Sequence, residues 1–257
     1  LYGSDAMGGV INIITRQEQG KPRFHVSAQG GSYATKNGIA EVSGRSGALS
    51  YSAGAAYMES EGFSAAGSQY EGNTENDGYR NLTLSGKFGF SPRDNLDLGL
   101  KVRSIDSRLD IDNAGGGDHS DDPNSVQDYN AILIGGHARG LFARNRWEST
   151  LNLSFLQYER RQDNPPDAIN PLDSEKSLFE SDLLKLDWQN NVFAHETNTV
   201  TAGLTYTREQ GESEYTSESA WGPYESLFPK QSADTFGAYV HDRISLDGAF
   251  FAAFGAR

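Results

Sequence analysis

The sequence predicts an all-β fold, an antiparallel transmembrane β-barrel, and three features predict it. Long segments alternate strictly between apolar and polar side chains, very short connections alternate with long polar ones, and no apolar run approaches the roughly 18 residues of a spanning helix. In Leu82, Leu84, Gly86, Phe88 and Phe90 the apolar set takes every second place, with Asn81, Thr83, Ser85 and Lys87 between. Leu96, Leu98, Leu100 and Val102 continue the pattern against Asp97, Gly99, Lys101 and Arg103. Successive side chains of a strand point to opposite faces, so one face of such a segment meets oil and the other water. A spanning strand needs only about 9 to 11 residues. A mean hydropathy of -0.60 therefore excludes a helical membrane protein without excluding a barrel.

The same parity recurs along the chain from Phe24 onward. It appears in Leu49, Tyr51, Ala53, Ala55 and Tyr57, in Trp147, Leu151, Leu153 and Phe155, in Leu184, Leu186, Trp188 and Val192, and in Val200, Ala202, Leu204 and Tyr206. A last pair runs through Phe236, Ala238 and Val240 and then Phe250, Ala252 and Phe254. Short turns are expected near Gly44 to Ala48, Ser91 to Asn95, Leu141 to Arg146, His195 to Asn198 and Leu246 to Gly248. Long polar connections are expected near Ser60 to Gly78, Arg108 to Gln127, Gln162 to Lys176 and Gly211 to Gln231. Short turns at one end and long loops at the other are the asymmetry of an outer-membrane barrel, turns periplasmic and loops extracellular. The segments number about eleven strands, the last incomplete, which makes an open half with two sheet edges. A soluble β-sandwich or jelly roll also alternates, but its strands run to about 5 or 6 residues, shorter than these segments.

Composition narrows the function classes. A net charge of -13 with scattered Lys and Arg argues against nucleic acid, which demands a basic stripe. With no Cys, disulfides and thiolate metal sites are absent. No catalytic constellation stands out, and a non-enzymatic protein is expected: the five His are dispersed, and His195-Glu196-Thr197-Asn198 lacks the second His of a zinc-protease helix. The chain starts at Leu1 without a signal peptide and stops at Arg257 inside a strand-like segment, so both ends are expected to be cut and missing export signals carry no information.

The first sixteen residues, LYGSDAMGGVINIITR, resemble the end of the plug domain of TonB-dependent outer-membrane receptors. Gly3 and the Gly8-Gly9 pair allow tight turns, and Val10, Ile11, Ile13 and Ile14 suit a short buried strand. The resemblance implies residues 1–16 as plug end, 17–22 as linker and 23–257 as the N-terminal half of a barrel of about 22 strands. It also implies a function, active uptake of a large scarce nutrient, driven by a TonB energy-coupling complex reached through a region outside this sequence. Within the family the cobalamin receptors are most similar, on Tyr70-Glu71-Gly72-Asn73-Thr74-Glu75-Asn76-Asp77-Gly78-Tyr79 and on Ile105-Asp106-Ser107-Arg108-Leu109-Asp110-Ile111-Asp112. Cobalamin is thus the implied substrate, a ferric siderophore or haem the alternative; a passive porin and a barrel enzyme follow at a distance. Outer-membrane lipid and lipopolysaccharide are the implied surroundings.

The resemblance also implies calcium as cofactor, bound by loop carboxylates. A hard cation takes six to eight oxygen ligands, which requires several carboxylates converging from flexible backbone. Asp106, Asp110 and Asp112 share a parity at one strand end, with Asp118, Asp121 and Asp122 able to fold back from the same loop. Glu159, Asp163 and Asp167 follow on a neighbouring part of the rim. The bland alternative is a set of solvated acidic loops. Tyr70, Tyr79, Trp221, Tyr224 and Phe228 are candidate substrate contacts in the loops, whereas Tyr57, Tyr158 and Tyr239 are expected in the aromatic girdle at the lipid headgroups.

Overall fold

The computed structural model describes residues 20–64, 75–112, 122, 124–168, 171–246 and 250–256. The resembling stretch 1–16, and with it the plug boundary, lies outside them, as does Tyr70.

Among the described residues, eleven strands form one antiparallel sheet in chain order, each paired to the next. They are β1 (Arg23–Gly30), β2 (Lys36–Ser46), β3 (Leu49–Ser60), β4 (Tyr79–Arg93), β5 (Leu96–Asp110), β6 (Val126–Phe142), β7 (Trp147–Asn164), β8 (Ser174–His195), β9 (Asn198–Glu218), β10 (Tyr224–Leu246) and β11 (Phe250–Ala256). The register aligns the apolar parity of the sequence into continuous rows across the sheet. One row reads Leu49, Phe90, Leu98, Ala138, Leu151, Trp188, Leu204, Ala238, and the next Tyr51, Phe88, Leu100, Gly136, Leu153, Leu186, Tyr206, Phe236. Because register has period two, a slip of one residue at any pair would move that whole strand's apolar set to the other face.

Among the described residues nothing packs on this apolar face. Phe236 is 78% and Leu204 53% exposed, and among the described residues Tyr239 is the one buried hydrophobic side chain. A second sheet or a helix layer would have buried these rows, so the single layer is that of a barrel wall, with lipid on the apolar face and the lumen on the other. The sandwich alternative falls with this observation.

The short turns lie where the sequence placed them, at residues 47–48, 94–95, 143–146 and 196–197 between consecutive strands. The turn after β6 is tight enough to hold Ala143, Arg144 and Asn145 all at positive φ, 51°, 57° and 66°. The other end differs from expectation in one place. The stretch from Gly211 to Gln231 is mostly strand: β9 runs to Glu218, β10 starts at Tyr224, and residues 219–223 make the turn. Thr, Ser and Tyr alternate with Glu there, a polar pattern that pairs well across strands without an apolar face to announce it. A bulge between Phe228 and Gln231, next to Pro229, separates this outer hairpin from the spanning part of β10.

The lumenal face is a second set of rows. In the turn-proximal half it is polar and hydrogen-bonded across strands: Arg139 is ion-paired to Glu148, Asn191 Nδ2 donates to Glu148 Oε1 at 3.0 Å, Thr201 Oγ1 to Asn191 Oδ1 at 2.8 Å, and Tyr239 Oη to Gln189 Oε1 at 3.2 Å. Tyr239 is therefore a lumenal residue lying over Gly203, not a girdle residue. Tyr158 shares its parity with lumenal Leu156, opposite that of Leu153 and Phe155, and is corrected in the same way. Parity overrode residue type in both. Tyr57 sits on the apolar face as expected.

Candidate functional site

At the loop end of the wall, three connections are tied to one another. Ile111 N donates to Ser125 O at 3.0 Å, closing the base of the loop between β5 and β6, and Asp110 N donates to Gly78 O at 2.9 Å, holding it to the loop before β4. Asn124 Nδ2 donates to Pro165 O at 2.9 Å and Asn164 Nδ2 to Asp122 Oδ2 at 2.7 Å, which fasten it to the loop after β7.

This stitching brings carboxylates together. Oxygens of Glu75, Asp77 and Asp112 all lie within 4.8 Å of one another. Asp122 joins them, its backbone N–H donating to Asp112 Oδ1 at 3.2 Å. Asp122 is 2% exposed, and its Oδ1, like Asp112 Oδ2, accepts no hydrogen bond. A buried carboxylate oxygen without a donor costs free energy unless a cation or a proton sits against it. Burial pushes the Asp122 carboxyl above its ordinary value; Asn164 holds it back, the charge of Asp167 pushes it up, a backbone N–H at Asn124 opposes, and Asp112 adds a last upward push. Burial, then the charge of Asp122, raises Glu175 likewise. The arrangement fits a hard divalent cation: oxygen donors only, from separate loops, with negative charge in excess.

The residues expected from sequence divide. Asp112 is in the cluster, Asp167 lies beside Asp122, and Asp110 stands by Gly78 at its edge. Asp163 is paired to Lys176 at 4.0 Å. Asp106 and Glu159 are elsewhere: both flank Asn130 in a row of the outer, lipid-side face that continues into Glu180 and Glu212. Asp118 and Asp121 lie outside the described residues. Glu75 and Asp77 were not expected as ligands, although they stand in the stretch that carries the family resemblance, because spacing within one strand says nothing about carboxylates on another loop. Of the aromatic candidates, Tyr79 is lumenal on β4, Tyr224 and Phe228 are lumenal on the outer hairpin, and Trp221 stands at its tip, 98% exposed.

Deeper in the wall, Ser91, Asp97 and His137 meet, with Ser91 Oγ donating to Asp97 Oδ1 at 2.7 Å and His137 Nε2 3.0 Å from Asp97 Oδ2. The acid sits between the other two, so the serine has no base against it and the group is a structural bridge.

No family model matches the chain. It is 27% identical over 210 residues to the vitamin B12 transporter BtuB of Photobacterium profundum, an alignment covering 81% of this chain and 32% of the transporter. The chain thus spans about a third of that relative's length. Among solved structures, the ferripyoverdine receptor of the outer membrane of Pseudomonas aeruginosa matches 93% of the chain with 37% of its own, at a TM-score of 0.70 and 13% identity. The siderophore receptor PirA from Acinetobacter baumannii matches 99% with 41% of its own, at 0.65 and 16%. A single-layer sheet with a lipid-facing belt thus carries the barrel fold of these receptors and a sequence similar to that of a B12 transporter.

Proposed function

We propose that the chain forms part of an outer-membrane receptor for energy-dependent uptake of cobalamin, in which calcium at the loop cluster orders the binding surface. The observation that carries it is the convergence of the Glu75, Asp77 and Asp112 carboxylates from two loops, with Asp122 bonded to Asp112 through its backbone N–H and carboxylate oxygens without donors at Asp112 and Asp122. The similarity to a B12 transporter supports the substrate. When bound, the cation supplies the charge that lets these acids stay ionised at close quarters. The chain's own part is to bring them there through the backbone ties at Ile111 and Asp110 and the Asn164 and Asn124 amides. Residues 1–16 are the end of a plug on this reading, and the pull of a TonB complex on that plug releases the ligand inward.

The test is cyanocobalamin binding to the full-length receptor in detergent, with calcium and then with chelator, beside a ferric siderophore. Tight cobalamin binding that weakens on chelation supports both parts, and Asp112→Asn with Asp122→Asn removes the calcium dependence. Cobalamin binding indifferent to chelator sinks the calcium site alone. Siderophore binding without cobalamin binding transfers the receptor to iron uptake, the second reading, which the fold shared with siderophore receptors keeps open.

A further inference from the structure

On the lumenal face, just inside the loops, three adjacent strands carry a compact aromatic cluster. The Tyr158 ring lies edge-on to Tyr129, centroids 5.0 Å apart, and edge-on to Phe179 at 5.6 Å. Arg160 pairs directly with Tyr129 on one side and Phe179 on the other, and its Cζ stands 6.0 Å from the Phe179 centroid. One lumenal row further from the loops, Leu133, Leu156 and Leu183 pair across the same strands. Aromatic and leucine side chains grouped this way contrast with the hydrogen-bonded polar wall near the turns, and Phe179 remains 37% exposed.

The charge around the cluster is one-sided. Three lumenal rows here read Tyr79, Leu109, Gln127, Gln162, Ser177, Tyr215; Asn81, Ser107, Tyr129, Arg160, Phe179, Ser213; and Thr83, Ile105, Ala131, Tyr158, Ser181, Gly211. Among these described residues there is no carboxylate, and Arg160 is the single cation. On the same strands Glu159, Glu180, Glu212 and Glu214 point the other way, and the lumenal acids Glu175 and Glu209 lie outside these three rows. No acid is paired with Arg160 among the described residues. The nearest other lumenal cations stand further from the loops, Arg103 beside Leu133 and Lys185 six residues or roughly 20 Å along β8 from Phe179. A guanidinium held against a ring with no counter-charge is a receptor for one planar-bidentate anion, carboxylate or phosphate, next to an apolar face.

We propose that Tyr129, Tyr158 and Phe179 take the apolar face of the transported ligand and that Arg160 takes a single anionic group on it, of the phosphodiester class. This rests on the uptake reading above and names the wall residues that set ligand selectivity within it. The sequence hides the site, because Arg160 sits in a strand among alternating polar residues and its neighbours come from β6 and β8.

Two probes separate the parts. Cyanocobalamin carries one phosphodiester, and dicyanocobinamide shares its ring but lacks that group. In the full-length receptor, with fold checked by heat-modifiable gel migration, Arg160→Gln should weaken cyanocobalamin by about 10- to 100-fold and dicyanocobinamide by less than about 2-fold. Phe179→Ala and Tyr158→Ala should weaken both, by about 10-fold each. Equal effects of Arg160→Gln on the two probes, or none on either, overturn the assignment of Arg160. Unchanged binding in both aromatic variants overturns the platform. Should Arg160→Gln fail to fold, Arg160→Lys must still weaken cyanocobalamin more than dicyanocobinamide, and equal affinities refute the role. If the unaltered receptor binds neither probe, the uptake reading itself fails, and this inference with it.

Discussion

Asn164 donates its side-chain N–H to Asp122 across two loops at 2.7 Å, and both residues are buried, 4% and 2% exposed. The bond does two jobs: it locates the acid, and it satisfies Oδ2 while Oδ1 stays buried without a donor. Asn164→Leu keeps the volume and removes the donor. Calcium affinity, measured by calorimetry, is expected to fall about 10-fold or more, the cost of a lost hydrogen bond to a charged group. Unchanged affinity would mean that Asp122 needs no positioning.

The same acid makes the loops pH-sensitive in a definite direction. Asp122 and Glu175 have raised values in the folded protein, so the folded state binds their protons more tightly than the unfolded chain does. Without calcium, loop stability should therefore rise as pH falls from neutral through the raised folded values, levelling off below the ordinary carboxyl value. With calcium the trend reverses, since protons compete for the same oxygens. Amide exchange in residues 110–112, 122 and 124–126, followed from pH 7 to pH 4 with and without calcium, reads both slopes; parallel slopes would contradict the coupling.

Glu159, Glu180 and Glu212 lie directly opposite one another on three strands of the outer face, above the apolar rows. Partial desolvation, then the charges of Glu212 and Glu159, raise Glu180. Like charges directly opposite destabilise a sheet by a few tenths to about 1 kcal/mol. Glu180→Gln should stabilise the barrel by that amount at pH 7, and the gain should vanish as pH falls through the raised value, where the native side chain is neutral as well. Urea unfolding in micelles at pH 7 and pH 4 tests it, and a gain independent of pH would assign the effect to packing.

Gly203 faces Tyr239 so closely that a Cβ there would stand 2.3 Å from the ring's Cζ. Gly203→Ala is expected to cost about 1 to 3 kcal/mol in the same unfolding assay, because the ring must leave its bond to Gln189. Adding Tyr239→Ser should recover part of the loss. A double variant that is merely additive would show the two residues to be uncoupled.

The sequence made the wall legible because a strand in lipid writes its orientation into alternate residues. Leu82 to Phe90 and Leu96 to Val102 declare both their faces and their pairing. Legibility stopped where that pressure stops. Above the lipid the hairpin of β9 and β10 needs no apolar face, so its polar residues resemble a loop. The carboxylate cluster was half legible: Asp112 and Asp122 are readable as acids of one loop, but Glu75 and Asp77 reach them only through the fold of the loop before β4. Tyr158 and Tyr239 misled because tyrosine is common in headgroup girdles, whereas their parity already placed them with lumenal neighbours.

The strands also grow around the sheet, from 11 and 12 residues in β2 and β3 to 22, 21 and 23 in β8, β9 and β10. Ten extra residues add roughly 33 Å along a strand and about 25 Å of height after tilt. The described wall is thus low at β2 and β3 and tall at β8 to β10, with Trp221 at its crest. On the receptor reading proposed above, the tall strands are the part of the rim that stands clear of the headgroups, and Phe179, Tyr215 and Tyr224 on their lumenal side are the rings they hold out to a ligand.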